Sequence, residues 1–323
     1  NLRLFFYILI ILLVSCDKTI ESNLTIADAT KNVPGVYTFA TYGNRRESMS
    51  SRGFRGIPIL KNGVRVHSDF RGVGVLTDMQ GVDNIQVLKG SAAITQGVAT
   101  DLGSPGGVIN IVTKTPRYVY GGNVSLRAGS FGQARTTFDV YGPLVKTNNV
   151  AFRLNGAIER SDSYRSRVSS DRFYINPSLE WKPDDKTTIT FEMDYFEDSR
   201  TPDLGTVNLG ENDENNIYDL PHDIFLGYSN DKSLTSNTTY SVRFNRDLSE
   251  KLSLRGALYK SSLDLDDKGA SLGNVVEDEF GEPIYNQRIR GYSASTRSDD
   301  NSVIQFDLIG DDIATGSISH TFQ

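Results

Sequence analysis

Histidine, cysteine and tryptophan are scarce in this 323-residue chain, which has three of the first and one each of the others. His67, His222 and His320 stand too far apart for a metal-ligand spacing, and a lone Cys16 excludes an intramolecular disulfide. A basic excess is missing as well. The formal net charge is −6, so there is no electrostatic footprint for nucleic acid. Nor is there any apolar run long enough for a membrane helix, which needs about 18 residues. The longest, Leu4–Val14 after Arg3, is too short to span a bilayer but suits the central part of a secretion signal.

That run ends Leu13-Val14-Ser15-Cys16, the pattern of a lipobox, in which Cys16 becomes the lipidated first residue of the mature chain. The plain alternative is a short buried segment with an incidental cysteine. Residues 1–16 are therefore set apart as an export signal.

What the chain does contain changes character near residue 118. From about Ser22 to Pro116 it is glycine-rich, with short apolar pieces at Val33–Val36, Ile57–Leu60, Val64–Val66, Ile85–Leu88 and Val108–Val112. Such text suits a compact α+β domain. From Gly121 the pattern has period two. Ile189, Phe191, Met193 and Tyr195 alternate with Thr190, Glu192 and Asp194; Phe173, Ile175, Leu179 and Trp181 alternate with Tyr174, Asn176, Ser178 and Glu180. Phe152, Leu154 and Ile158 do the same against Arg153, Asn155 and Glu159. One apolar and one polar face marks a strand with two different environments. Short links at Leu144–Asn149, Pro183–Lys186, Leu248–Lys251 and Gly310–Thr315 alternate with long ones at Ser161–Asp171, Asp198–Ser236 and Asp264–Asn301. Only the first hairpin, closed at Ser130–Gly132, breaks this rule. Short turns on one side and long loops on the other are the asymmetry of a transmembrane β-barrel, although a soluble sandwich shares the period.

Four blocks in the first part carry the most information: SSRGFRG (Ser50–Gly56), LKNGVRV (Leu60–Val66), VDNIQVLKGSAAITQG (Val82–Gly97) and GSPGGVINIVTKTP (Gly103–Pro116). Their signature residues are Gly53, Phe54, Asn62, Gly63, Gly90, Gly103, Pro105, Gly106, Gly107 and Asn110. In this order and spacing the blocks resemble the plug domain of TonB-dependent outer-membrane receptors, the ferric-siderophore branch in particular. The resemblance implies a mainly β protein: an α+β plug over residues 17–117, then antiparallel transmembrane β-barrel strands over 118–323. About eight or nine strands are expected here of the 22 in such transporters, so the chain is expected to be a piece of a longer one.

The same resemblance implies binding and gating rather than bond making. The expected partners are TonB, a ferric siderophore and outer-membrane lipid, with no cofactor of the protein's own. Arg52 and Lys89 fall where the family places basic plug residues that lock onto barrel glutamates, the partners being expected in later strands. Arg45 and Arg46 in one plug loop, and His67, Phe70 and Arg71 in another, are the expected ligand contacts, because guanidinium donors and an aromatic wall suit an anionic or oxygen-rich chelate. Lys18-Thr19-Ile20-Glu21 is the candidate for the TonB-contacting segment. Other cargo, such as cobalamin, haem or an oligosaccharide, remains an alternative, as does a lipid-anchored surface binding protein that transports nothing. The string DLDDKG (Asp264–Gly269) lacks the oxygen ligands of a calcium loop at its later positions and is expected to be a hydrated outer loop.

Overall fold

The computed structural model describes residues 25–40, 48–55, 57–65, 77–88, 106–144, 149–208, 220–315 and 318–322. Its first part begins with a short helix α1 (Ile26–Thr30), capped by Thr25, whose Oγ1 accepts the Asp28 backbone N–H at 3.0 Å. Strands β1 (Val36–Ala40), β2 (Ser48–Ser51) and β3 (Phe54–Arg55) form a small antiparallel sheet. A second, mixed sheet has the order β5 (Val64–Arg65), β4 (Ile59–Lys61), β7 (Val108–Thr113), β6 (Val82–Leu88), with β4 and β7 parallel. A single turn of 3-10 helix (Met79–Gly81) leads into β6. Branched and thioether side chains meet between the layers: Ile26, Val36, Met49, Ile57, Val82, Ile109 and Ile111 form one buried core.

The rest is one antiparallel meander. Strands β8 (Gly121–Ala128), β9 (Ala134–Pro143), β10 (Val150–Asp162), β11 (Ser169–Asp184), β12 (Thr187–Arg200), β13 (Lys232–Ser249), β14 (Leu252–Glu277), β15 (Pro283–Thr315) and β16 (Ile318–Phe322) pair strictly in sequence. The period-two pattern is thereby realised, but with the burial of a soluble sheet reversed. Leu126, Ile158, Phe173, Trp181, Phe191, Leu258, Ile304 and Phe306 face outward and are exposed. Their polar neighbours Arg135, Asn155, Asn176, Glu192, Asp194 and Thr239 are buried. Apolar side chains pointing away from the protein, around a polar interior, are what a hydrocarbon solvent selects.

Two expectations about the loops need correction. The segment expected as a long loop, Asp264–Asn301, is mostly β14 and β15, a ribbon closed by a tight turn at residues 278–282. There Asp278 Oδ1 accepts the N–H groups of Phe280 and Glu282, each at 2.9 Å, and Gly281 takes φ +81°. DLDDKG accordingly lies in β14, where Leu263 and Leu265 turn inward and Asp264 faces outward. Its polar composition reads as loop because the ladder partners that hold it, residues 293–298, lie about thirty positions away. Likewise Gly310–Thr315, expected as a short link, belongs to β15.

An outward position on β12 offers a direct check. Phe191→Arg should destabilise the protein folded in phosphatidylcholine vesicles by about 2–4 kcal/mol if the position lies near the membrane midplane, read by urea titration. A change near zero, as for an exposed residue of a water-soluble sheet, would contradict the outward-lipid arrangement.

Candidate functional site: the seam between plug and wall

The buried polar face of the meander meets the first domain, and the contacts are built from charges. Asp78, at the N-cap of the 3-10 turn, uses Oδ1 to accept the Gln80 N–H at 2.8 Å. The same carboxylate receives a two-pronged guanidinium from Arg135 on β9, Nη2 to Oδ1 at 2.6 Å and Nη1 to Oδ2 at 3.1 Å. Arg172 on β11 approaches Asp78 Oδ2 to 3.6 Å. The two arginines are in turn balanced within the wall, Arg135 by Glu159 at 2.7 Å and Arg172 by Asp198 at 3.0 Å.

A second node has the opposite polarity. Lys61, the last residue of β4, donates from Nζ to Asp194 on β12 and lies 3.9 Å from Glu192. Burial alone would push the Lys61 ammonium down, but the Asp194 and Glu192 carboxylates outweigh it and its pKa is raised. Thr113 Oγ1 donates to Glu192 at 2.9 Å, and Asn62 Nδ2 reaches the same oxygen at 3.4 Å. From the wall side Asn176 and Arg243 hold Glu192, each at 3.1 Å, and Tyr174 Oη donates to Asp194 at 3.1 Å. A third, more open node joins Lys114 to Asp139 at 3.5 Å, with Arg153 gripping Asp139 and donating to the Thr115 carbonyl at 2.9 Å. Burial pushes the Lys114 ammonium down, Asp139 pulling it back only in part while Arg153 repels it.

Local backbone needs explain part of the glycine-rich text. Asn62 (φ +52°) and Gly63 (φ +82°) close the β4–β5 turn in the left-handed region. Asn62 is braced there by Thr113, whose N–H it accepts at 3.0 Å and whose hydroxyl accepts its amide at 2.8 Å. Asn110 Oδ1 accepts the Gly63 N–H at 2.9 Å, while its amide donates to Gln86. At Gly81 the first domain approaches the wall too closely for any side chain: a Cβ built there would lie 1.8 Å from Tyr174 Oη.

Of the residues singled out from sequence, Asn62, Gly63 and Asn110 thus come together at this seam. Gly106 and Gly107 are buried at the entry to β7, Gly107 with φ +109°. Arg52 and Gly53 form the β2–β3 turn at φ +53° and +85°, and Phe54 beside them is exposed. Arg52 is exposed as well, and among the described residues it has no ion-pair partner. Cys16, Arg45, Arg46, His67, Phe70, Arg71, Lys89, Gly90, Gly103, Pro105 and the segment Lys18–Glu21 lie outside the described residues. The ties that are visible, through Lys61, Asp78 and Lys114, were missed by sequence reasoning. A signal existed in the wall: Arg135, Asp139, Arg153, Glu159, Glu192 and Asp194 all fall on the polar parity of their strands, and a stripe of both charge signs buried on one face requires a charged partner.

Comparison with known proteins agrees with this geometry. Residues 17–108 match the TonB-dependent receptor plug domain. The metal-pseudopaline receptor of Pseudomonas aeruginosa is 30% identical over 251 residues, 77% of this chain and 33% of that protein. The ferrioxamine B receptor of Salmonella typhimurium is 29% identical over 187 residues, 56% of this chain and 26% of the relative. Among solved structures, the ferripyoverdine receptor of Pseudomonas aeruginosa superposes with a TM-score of 0.77 at 20% identity, over 90% of this chain and 38% of the other. The ferric-catecholate import receptor of Escherichia coli gives 0.75 at 23%, over 93% of this chain and 46% of the other. Residues 17–108 thus carry the plug domain of TonB-dependent receptors, and in sequence and fold the chain is similar to outer-membrane receptors of that kind. It spans about a third of the length of the first of these relatives.

Removing one member of a buried pair strands the other charge. Lys61→Met should therefore destabilise the docked plug by about 3–5 kcal/mol, and pairing it with Asp194→Asn should recover much of the loss. Melting of the four detergent-solubilised proteins in a double-mutant cycle measures this, and additive effects would show that the pair is not coupled. Because the Lys61 pKa is raised, its contribution is fully present below the ordinary lysine value of 10.5 and is lost only as pH climbs through the folded value. The difference in melting between the parent and Lys61→Met should thus be flat from mildly acidic to mildly alkaline pH.

Proposed function

We propose that the chain forms the plug and adjoining wall of an outer-membrane transporter that imports a ferric-siderophore complex, driven by TonB-dependent rearrangement of the plug. The observation that carries this reading is the seam itself. A folded domain is held against the polar inner face of a membrane wall by charge pairs of both polarities, with the wall's apolar face turned outward. Such pairs hold a stopper firmly while dry. They also part without stranding a charge in an apolar medium when water follows the movement, because both partners regain hydration. Nothing in this arrangement requires bond making, and no resident cofactor is needed; iron would enter only inside the cargo.

The cargo class rests on relatives named for metal–chelate and ferric-siderophore ligands. The metal-pseudopaline relative widens the class from ferric chelates to metal chelates. Arg45, Arg46, His67, Phe70 and Arg71 remain the proposed ligand contacts. Arg52 and Lys89 are proposed to complete the lock against wall strands other than those described. TonB is the proposed energy source, acting through a segment ahead of the plug, and Cys16 is the proposed lipidation site.

Cells expressing the protein from its own gene should take up iron-55 chelates of the hydroxamate, catecholate or mixed type in an energy-dependent way. Deletion of the gene should abolish uptake of at least one of them. An Arg45→Ala, Phe70→Ala, Arg71→Ala triple variant should weaken surface binding of that chelate at least about tenfold, the loss of one or two charge-assisted contacts, while its level in the outer membrane is unchanged. Unaltered affinity in the triple variant would reject the contact site.

A further inference from the structure

Charge is distributed unevenly along the strands of the wall. At the level of the plug the wall pairs its own charges, Arg135 with Glu159 and Arg172 with Asp198. At the end where the long loops lie, the outer side of such a barrel, it does not. Residues 163–168, 201–231 and 264–300 stand there and carry sixteen carboxylates against six cations. Their net charge is −10 where that of the whole chain is −6, so everything else together is +4. Residues 201–231 alone contain seven Asp and Glu and neither Lys nor Arg.

Five of the six cations are turned onto the protein itself. Arg165 is held by Asp203 at 3.1 Å and the Ile224 carbonyl at 3.0 Å, with its guanidinium 5.3 Å over Tyr164. Arg290 lies over Tyr228, and Arg288 donates to the Tyr285 and Gln287 carbonyls. Lys268 and Arg297 pair with Asp266 and Asp299. By contrast Asp264, Glu277, Glu279, Glu282 and Asp300 are exposed and form no ion pair among the described residues. The face turned to the pore is acidic as well. There Asp267 accepts from Ser233, and Asp231, 7% exposed, keeps Oδ1 beside Gly269 with no hydrogen-bond partner. A buried carboxylate oxygen in that condition favours an incoming donor and opposes a second negative charge.

We infer that this outer rim is a charge filter, which admits neutral or cationic chelates in preference to polyanionic ones. Among the chelate types named above it selects the hydroxamates. Three singly charged hydroxamates neutralise iron(III), whereas three doubly charged catecholates leave three negative charges in excess. The field acts within a Debye length, about 8 Å at physiological salt, and low-dielectric walls on either side focus it. The arginines proposed on the plug loops are compatible with such cargo, because a guanidinium donates to the oxygens of a neutral chelate as well as to those of an anion. The inference rests on the transporter reading above and adds the charge of the cargo to it.

One chelate scaffold in three charge states tests this. A linear tris-hydroxamate with a terminal amine, its N-acetylated form and its N-succinylated form, each loaded with iron(III), end in a positive, a neutral and a negative group. Their association with the full protein in nonionic detergent is followed by quenching of its fluorescence, beside that of a ferric tris-catecholate. At about 0.02 M salt the rates should fall in that order, with at least about a tenfold spread between the amine and succinyl forms that collapses at about 0.5 M salt. Combining Asp264→Asn, Glu277→Gln, Glu279→Gln, Glu282→Gln and Asp300→Asn should narrow the spread at least about threefold. Asp278, which holds the turn, is kept, and the three Glu→Gln changes alone serve should the fivefold variant fail to assemble. Equal rates for the three forms, a faster anionic form, or a spread that the variant leaves unchanged overturns the charge filter. Binding of the tris-catecholate alone does so as well, and all four results leave the transporter reading standing. Association of none of the four chelates overturns that reading too.

Discussion

A charge cannot face hydrocarbon, and this constraint organises the whole chain. Ionised side chains on the wall strands within the membrane have only one permitted direction, inward, and there the plug excludes bulk water. Arg135, Asp139, Arg153, Glu159, Arg172, Glu192, Asp194 and Asp198 must then neutralise one another or be neutralised by the plug. The wall nearly balances itself, as Arg135 with Glu159 and Arg172 with Asp198 show. What is left over is supplied by Asp78 at one node and Lys61 at another.

That the two plug charges have opposite sign matters for docking. A plug carrying only cations could slide along an acidic wall at little cost. With Asp78 set between two arginines and Lys61 against two carboxylates, a displacement that brings either charge to the other node meets repulsion at both. Buried pairs contribute little net stability over apolar contacts of the same shape, but a mismatched one is strongly unfavourable. The seam therefore specifies position more than it adds adhesion. Tyr174 sharpens the fit sterically: it fills the space that a side chain at residue 81 would need, and its hydroxyl also steadies Asp194.

The sequence was informative wherever the physics is local. Alternation in Ile189–Tyr195 and Phe173–Trp181 located β12 and β11, and Asn62-Gly63 announced a turn whose φ angles are indeed positive. Period two alone did not say which face met water, because a sandwich and a barrel share it; the plug blocks decided that. The identity of the lock was not legible. Lys61 and Asp194 are 133 positions apart, and nothing near Lys61 distinguishes it from a solvated lysine until β4 is paired with β7 and set against β12. The β14–β15 ribbon was illegible for a related reason. Its serines, aspartates and glycines are ordinary loop residues, and only the pairing of Leu252–Leu272 with Arg290–Gly310 makes them strand.

That ribbon also records where the membrane ends. On β14, Leu258 points outward, whereas Leu263 and Leu265 point inward, although the pairing with β15 runs from Leu252 to Leu272 without a bulge. The strand has kept its register, so the reversal of its apolar face reflects a change of surroundings: hydrocarbon outside at Leu258, water outside by Asp264. Beyond that level the ribbon obeys the rules of a water-soluble sheet, with Lys268 and Asp266 paired at 2.9 Å in the open. There the loop after β12 folds against it. Arg290 lies 4.2 Å over the Tyr228 ring and donates to the Leu226 and Gly227 carbonyls, and Tyr228 packs edge-on to Tyr292 at 5.8 Å. Asp231 secures the corner by accepting the N–H groups of Tyr228 and Ala270. A loop tied by its backbone to an extended ribbon moves with that ribbon rather than independently. The outer rim on this side is thus a built wall standing above the membrane, continuous with the strands that cross it below.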